Sequence, residues 1–436
     1  MEEQISLFED EIATSDPSIQ SKRKRKDIYT YPELQKLWEL PLSAKIEVAQ
    51  NIIRETFAHG EKTALAFSGG KDSTALWHLI RETCPNEAKN MIVIFGNTGV
   101  EYKESVDFAR KLGKEWGGEN FHETKPERIK EPRLKYEAQK EVWAKIEEQG
   151  DVQRYLNKKG RLLSTDKLNE AVTAEMWADF RSRKLVWEIG TPISFWFIAE
   201  QYGFPILGKA ATKLDAPRIN INVFLKHSTE QSKESEKYYD MLRKFPDMKI
   251  SHACCHFIKE QPSQILQRKL KVKALFRGLM ASESRRRLFT FLDYGFLYKV
   301  KDGTIYSNPL SIFKDSDIWE YIRTKNCPYS ELYDLTDENG EKLFTRNGCY
   351  VCGTGLAYEG NNIEILRKHY NGKWESLMRY GMAKEMKQFA CAISNDVKLN
   401  LLDSDYLLDN RPCAFDRLKP RNPDILESLQ QASFLN

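Results

Sequence analysis

The chain has no run of about 18 apolar residues, the length at which a segment begins to read as a membrane span. It also shows no secretory leader, because its first residues, Met1-Glu2-Glu3, are acidic where such a leader begins basic. The two absences predict a cytoplasmic protein without membrane association. Charge of one sign is scarce. Lysine and arginine number 67 against 63 aspartates and glutamates, and the formal net charge of +4 does not by itself imply a nucleic-acid partner. No internal repeat or low-complexity tract occurs, which excludes solenoids and arrays. Cysteine is infrequent, with eight in the chain: Cys84, Cys254, Cys255, Cys327, Cys349, Cys352, Cys391 and Cys413. Without a leader, such cysteines suggest metal or redox chemistry rather than a disulfide framework. What is present supports a folded enzyme-sized protein. Its 436 residues suffice for two or three domains, and an apolar fraction of 41% can fill their cores.

The most informative segment is an apolar run, Thr63-Ala64-Leu65-Ala66-Phe67, followed by Ser68-Gly69-Gly70-Lys71-Asp72-Ser73-Thr74 and then Ala75-Leu76-Trp77-His78-Leu79-Ile80. That order reads as strand, loop and helix. Adjacent glycines let the backbone approach a ligand without a Cβ clash. Loop N–H groups and the helix N-terminus then point at negative oxygens. Ser73 and Thr74 add hydroxyls in the first helical turn, and Lys71 adds a positive charge. A phosphate group is the expected ligand. The run does not fit G-x-x-x-x-G-K-[ST], so it is not a Walker A loop. An ordinary β-to-α turn is the competing reading.

In this context Ser68–Thr74 resembles the PP-loop, SGGxDS, of the ATP-pyrophosphatase and phosphoadenosine phosphosulfate (PAPS) reductase superfamily. The resemblance implies an α/β fold: a Rossmann-like, adenine nucleotide alpha hydrolase-like parallel sheet flanked by helices. It implies an adenine nucleotide, ATP or PAPS or adenylylsulfate (APS), held with Mg²⁺ on Ser68, Gly69, Gly70, Lys71, Asp72, Ser73 and Thr74. Met91-Ile92-Val93-Ile94-Phe95 is a short continuous apolar run, typical of a buried parallel strand. It leads into Asn97-Thr98-Gly99, which resembles the family's second motif. Ligands of open parallel sheets sit at the carboxyl ends of the strands, so these residues belong beside the loop. The run from Thr191 through Tyr202-Gly203-Phe204-Pro205 resembles runs ending in Gly-Phe-Pro that occur in a bacterial and phage branch of the family. Further on, Leu275 to Arg287, Asn308-Pro309-Leu310, Asp315 and Asp317 to Ile322 resemble the rest of the family domain in the same order. An arginine of Arg285-Arg286-Arg287 then corresponds to the one that contacts the nucleotide's phosphate or sulfate. Lys71, Asp72 and Arg285 become the catalytic candidates.

Residues 1–40 read as a tail that carries the basic run Lys22-Arg23-Lys24-Arg25-Lys26. That run is either a solvated arm or a contact for nucleic-acid phosphates. Within the tail, Gln4-Ile5-Ser6-Leu7-Phe8 resembles the short peptide with which bacterial DNA enzymes dock on the sliding clamp. Residues 41–330 read as the nucleotide-binding domain, with a helix from Ala44 to His59 and a charged, mainly helical insertion over 125–188. Residues 226–250 also read as helical. Residues 331–436 read as a cysteine-bearing, mainly helical C-terminal region.

Cys254 and Cys255 are adjacent, and Cys349-Tyr350-Val351-Cys352 is a C-x-x-C bracketed by Gly348 and Gly353. Two local thiol pairs can meet at one metal centre. The layout resembles the cysteine set that holds a 4Fe–4S cluster in bacterial APS reductases. Zn²⁺ in a Cys₄ site, a redox dithiol and a simply buried pair are the alternatives. Sulfonucleotide reductases also carry a terminal cysteine in a Glu-Cys-Gly-Leu-His-like motif. This chain has none, and Arg411-Pro412-Cys413-Ala414-Phe415 is the nearest thiol to that place.

Three functions follow. The first is ATP-dependent adenylation and sulfur transfer, with a sulfur donor such as a cysteine desulfurase and an acceptor that is a DNA phosphate, a tRNA base or a small molecule. The second is a PAPS or APS reductase that releases sulfite and needs a thioredoxin-type reductant. The third is a nucleotide-binding regulator without turnover.

Overall fold

Strand β1, Thr63–Phe67, forms from the apolar run before the paired glycines, and four of its five residues are buried. The computed structural model describes residues 28–59, 62–156, 166–203 and 253–352, together with 365–366, 369–370 and 372–373. The expectations for Gln4–Phe8, Lys22–Lys26, 226–250, Gly353, Cys391 and Cys413 lie outside the described residues.

Around β1 the chain alternates helices and strands. Helices α1 (Tyr31–Trp38) and α2 (Leu42–His59) precede it, and α3 (Lys71–Thr83) and α4 (Pro85–Asn90) follow. Then come β2 (Ile92–Gly96), α5 (Lys103–Leu112), β3 (Phe121–Thr124), β4 (Arg133–Leu134), α6 (Tyr136–Glu148), α7 (Ala174–Ser182), β5 (Val186–Trp187) and α8 (Phe195–Gln201). After residue 253 the elements are α9 (Gln261–Lys269), β6 (Ala274–Arg277), α10 (Arg285–Tyr294), β7 (Leu297–Lys299), β8 (Ile305–Ser307) and α11 (Asp315–Thr324).

The fold is α/β and Rossmann-like. Six strands form one sheet in the order β3-β2-β1-β6-β8-β7. Strand β6 runs parallel to both β1 and β8, in the registers Leu65↔Phe276 and Leu275↔Tyr306. Strand β7 is an antiparallel edge, with Tyr298 opposite Tyr306. No described helix is long and apolar enough to cross a membrane.

Two compact units divide the chain. The first comprises Met1–Phe67, Lys71–Val93 and Lys271–Tyr329. Its core includes Leu65, Leu76, Trp77, Ile80, Phe276, Ile318 and Ile322, all nearly inaccessible to solvent. The Phe67 and Trp77 rings meet edge to face at 5.0 Å. Two polar contacts fix helix positions within it. Thr56 and Ser307 share a buried hydroxyl hydrogen bond of 2.8 Å. Lys45, 2% exposed, pairs with Asp317 at 2.6 Å. Asp317 also accepts the Lys314 N–H at 2.7 Å, which caps the first turn of α11. A carboxylate there suits the positive end of the helix dipole.

The second unit comprises Ser68–Gly70, Ile94–Leu270 and Ser330–Asn436. The described residues of 125–188 include helices α6 and α7 and a two-stranded antiparallel ribbon, β4 and β5. They bury a core of their own, built on Tyr136, Val142, Trp143, Ile146, Leu168 and Phe180. The segment from Ser330 to Cys352 departs from the expected helical character: one short 3₁₀ turn, Glu331–Asp334, is followed by irregular chain. The reason is local. Asp337 accepts the N–H groups of Asn339 and Glu341 at 2.9 Å each, and Gly340 adopts φ +80°, so the chain turns back with Thr336 opposite Lys342.

Candidate functional site

The turn after β1 owes its shape to its glycines. Gly69 has φ +73°, and a Cβ there would lie 3.0 Å from the Ala109 Cβ and 3.1 Å from the Ser105 carbonyl oxygen. Both the dihedral and the close approach of α5 therefore require glycine. Gly70 donates its N–H to Ser68 Oγ at 3.2 Å. The turn is not bare: a Cβ on Gly70 would stand 3.5 Å from both the Asn347 Cβ and the Tyr333 hydroxyl. Gly69 and Gly70 are buried while Ser68 remains exposed. The chain then enters the 13-residue helix α3. A glycine turn running into a helix N-terminus at the end of a parallel strand is the arrangement that suits an anion.

Lys71 takes a position the sequence did not announce. It is 2% exposed, and its Nζ lies 2.7 Å from Asp315 and 3.6 Å from Asp72. It also sits 5.9 Å from the centre of the Trp319 ring. Its charge is thus matched by a carboxylate of α11 rather than displayed on the surface. Asp72 is partly buried, and Ser73 and Thr74 are buried. Gly278 explains how closely this turn is approached: a Cβ there would meet the Asp72 C, Ser73 N and Ser73 Cα atoms, each at 3.1 Å. The preceding residue, Arg277, is held by Asn308 Oδ1 at 3.0 Å and the Tyr298 hydroxyl at 2.7 Å. Its guanidinium lies 4.1 Å from the Tyr306 ring centre.

Asn97, Thr98 and Gly99 form the loop after β2. Asn97 Oδ1 accepts the Gly99 N–H at 2.8 Å, and its Nδ2 donates to Glu123 at 2.6 Å. Arg110 grips the same Glu123 carboxylate through two 2.8 Å bonds. That grip, followed by the Asn97 bond, holds Glu123 below the usual carboxylate range. Gly99 has φ +78°. The Thr98 N–H donates to the Glu101 carboxylate at 3.1 Å, and the Thr98 hydroxyl lies 3.4 Å from Cys349 Sγ.

The cysteines come into one electrostatic neighbourhood. Cys254 is buried, Cys255 exposed, and Cys349 and Cys352 are intermediate. Burial pushes the Cys254 thiol well up, and Cys255, Cys349, Cys352 and Glu101 push in the same direction. Burial and the Glu101 carboxylate push Cys349 up to about 12, against the opposing pull of Lys259 and the Thr98 bond. Among the described residues, however, no three Cys, His, Asp or Glu side chains stand close enough together to ligate a metal ion as they are placed. Cys84 and Cys327 are buried thiols elsewhere.

Arg285 begins α10, and its side chain and that of Arg286 lie outside the described residues. Arg287 is ion-paired with Glu283, and its N–H caps on Ser284 Oγ at 3.4 Å.

Asp315, Gly278, Tyr333 and Asn347 were not among the site residues expected from sequence. Asp315 and Gly278 lay inside family-like runs, but only the fold reveals what they touch. Asn347 had no signal beyond standing next to the C-x-x-C loop.

Residues 62–174 and 182–354 match the family model of the phosphoadenosine phosphosulfate reductase domain. An uncharacterized protein of Methanocaldococcus jannaschii is 30% identical over 112 residues, which are 24% of this chain and 25% of that protein. The chain thus spans about a quarter of the length of the curated relative it matches. A crystal structure of phosphoadenylyl-sulfate (PAPS) reductase from Candida auris, in complex with phosphate, aligns over 71% of this chain and 97% of that one, at 14% identity and a TM-score of 0.31.

Proposed function

The chain belongs to the phosphoadenosine phosphosulfate reductase family, and from that premise we propose that it binds ATP on Ser68–Thr74 and catalyses adenylation followed by sulfur transfer. The observation that carries this reading is the turn itself: a left-handed Gly69, a closely approached Gly70 and a helix N-terminus, all at the end of a parallel strand. Loop N–H groups and the α3 dipole supply stabilisation for phosphate oxygens. Lys71 fixes the start of α3 through Asp315, and Arg285, with Mg²⁺ when bound, would supply positive charge for the departing pyrophosphate. In the reaction an acceptor oxygen attacks the α-phosphorus, the bond to pyrophosphate breaks, and a sulfur nucleophile then displaces AMP.

Cys254, Cys255, Cys349 and Cys352 are the residues that would hold a 4Fe–4S cluster, with Zn²⁺ as the alternative occupant. What supports such a centre is the electrostatic influence of Cys255, Cys349 and Cys352 on the buried Cys254 thiol, while the described side chains as placed form no ligating set. A cluster held there would bind or relay the sulfur, or brace the acceptor site. The protein's own part is to hold Cys349 beside Thr98 and to orient Glu101 on the Thr98 N–H. A DNA phosphate is one acceptor class, a tRNA base and a small molecule the others.

The second reading is sulfonucleotide reduction. The family match favours it, and the lack of a terminal Glu-Cys-Gly-Leu-His-like motif opposes it. Anaerobic protein incubated with ATP and candidate acceptors should release AMP and pyrophosphate with a thiolated product, read by mass spectrometry. Sulfite released from PAPS, with no AMP from ATP, would replace the first reading by the second.

A further inference from the structure

Tyr306 of β8 stands opposite Leu275 of β6, and Tyr298 of β7 stands opposite Tyr306, so the three share one face of the sheet. Arg277 is two residues beyond Leu275 and ends β6 on that same face. Its guanidinium lies 4.1 Å from the Tyr306 ring centre and 5.5 Å from that of Tyr298. Nε donates to Asn308 Oδ1 at 3.0 Å, and Nη2 donates to the Tyr298 hydroxyl at 2.7 Å. Both holding groups are themselves held. Asn308 is buried and donates its N–H to the Phe296 carbonyl oxygen at 2.9 Å, and Tyr294 stacks on Tyr298 with ring centres 4.7 Å apart. Among the described residues Arg277 thus meets an amide oxygen, a phenol and two rings, and no carboxylate. Taking a charge partly out of water without a counter-ion is costly. A ring face offsets only part of that cost.

We propose that Arg277 is a specificity-determining residue for the nucleotide, and that it takes a second phosphate group besides the one at the first turn of α3. The inference rests on the nucleotide reading given above, and on an arginine outside the Arg285–Arg287 run. Strands β6 and β8 are parallel, so Arg277 and Asn308, the residue after β8, both stand at carboxyl ends, where open parallel sheets take their ligands. The start of α3 is close by. Gly278, the next residue after Arg277, is the one whose Cβ position lies 3.1 Å from backbone atoms of Asp72 and Ser73. A nucleotide with one phosphate at that turn brings its other anionic groups within reach of a neighbouring arginine. The donors also suit the task. The bonds to Asn308 and Tyr298 use the Nε–H and one Nη2–H. Both Nη1 hydrogens and the second Nη2 hydrogen remain, a planar fork that matches two oxygens of a phosphate. The two bonds fix the plane of that fork before a ligand arrives, so little side-chain freedom is lost on binding.

The test is equilibrium binding of AMP, ATP and adenosine 3′,5′-bisphosphate to the full chain as wild type, Arg277→Met, Arg277→Lys and Tyr298→Phe, with unfolding midpoints measured alongside. Wild type should bind ATP or the bisphosphate at least about tenfold more tightly than AMP. Arg277→Met should erase that preference, because a charge-assisted contact is typically worth about 10- to 100-fold, while AMP affinity stays within about twofold. The nucleotide that loses affinity locates the second phosphate: ATP places it on the 5′ chain, the bisphosphate at the 3′ position. Arg277→Lys keeps the charge without the fork and should recover only part of the preference. Tyr298→Phe keeps the ring but not the hydroxyl that orients Nη2, and should narrow the preference about 3- to 10-fold. That variant keeps the inference testable if Arg277→Met folds poorly. A full preference retained in Arg277→Met and Tyr298→Phe overturns the inference. So does an equal loss for all three nucleotides, which would assign Arg277 to the fold alone. Wild type that binds AMP as tightly as the other two overturns it as well and leaves the nucleotide reading standing. Wild type that binds none of the three overturns the nucleotide reading itself, and this inference with it.

Discussion

Replacing Gly278 by alanine is the sharpest test of the anion cradle. An added Cβ would stand 3.1 Å from three backbone atoms of Asp72 and Ser73, at the first turn of α3. Ordinary carbon contacts begin near 3.5 Å, so the two strands of chain must separate by a few tenths of an ångström. Neither side yields easily. Residue 278 directly follows β6, which is hydrogen-bonded between β1 and β8, and α3 packs its Leu76, Trp77 and Ile80 into the core. No flexible side chain lies between them to absorb the change. Overpacking of this kind costs about 1–3 kcal/mol. Denaturant unfolding should therefore show a loss in that range. Because the displaced atoms are the start of α3 itself, ATP affinity should fall about tenfold as well, the equivalent of about 1.4 kcal/mol. Gly348→Ala is the control, since its Cβ would meet nothing within 4 Å and its φ is not left-handed; its stability should stay within about 0.5 kcal/mol of wild type. A Gly278→Ala protein with wild-type stability and wild-type ATP affinity would refute the close-approach argument.

Three other outcomes are expected. Lys45→Ala removes one partner of a buried ion pair and leaves the Asp317 carboxylate, 14% exposed, held by the Lys314 N–H; chemical denaturation should show a loss of about 3 kcal/mol or more. Cys349→Ser should lose metal on anaerobic purification, whereas Cys84→Ser, a buried thiol outside the cysteine group, should retain it; iron and zinc analysis decides, and equal retention would count against the ligand set. Stability should also fall as the pH drops below about 6.5, because burial holds the His78 imidazole below the ordinary histidine value of about 6.5. In that window the unfolded chain takes up a proton that the folded one refuses, so ΔG of unfolding decreases with decreasing pH. The charged and titratable groups around His78 are Glu82, Arg81, Lys325 and Tyr321, the last hydrogen-bonded to it at 2.8 Å. His78→Gln should flatten the slope between pH 7 and 5.5 in urea titrations; an unchanged slope would assign it to other groups.

Local patterns carried a large share of the fold. The apolar run before Ser68 became β1, the glycine pair became a left-handed turn, and the run from Ala75 stayed helical, because each is dictated by propensity and steric freedom within a few residues. The helix expected from Ala44 to His59 appears as Leu42–His59. The stretch from Ser330 to Cys352 was less legible. Its turn at Asp337–Gly340 rests on side-chain bonds to the backbone that compete with helix. The site was legible as a list of residues and illegible as a set of contacts. Lys71 reads as a cation for a ligand until Asp315 is found 2.7 Å away. Asn97 reads as a ligand contact until its amide is seen engaged with Glu123 and Gly99.

The amino-acid sequence by itself determined the family, the strand–turn–helix at residue 70 and the pairing of cysteines into two local sets, since all three are written in neighbouring residues. Only the tertiary structure decided which carboxylate neutralises Lys71, why residue 278 carries no side chain, and that the Asn347–Cys352 segment touches both strand-end loops of its unit. Those facts depend on chain segments far apart in sequence being packed to within a few ångströms, and no local propensity encodes such distances.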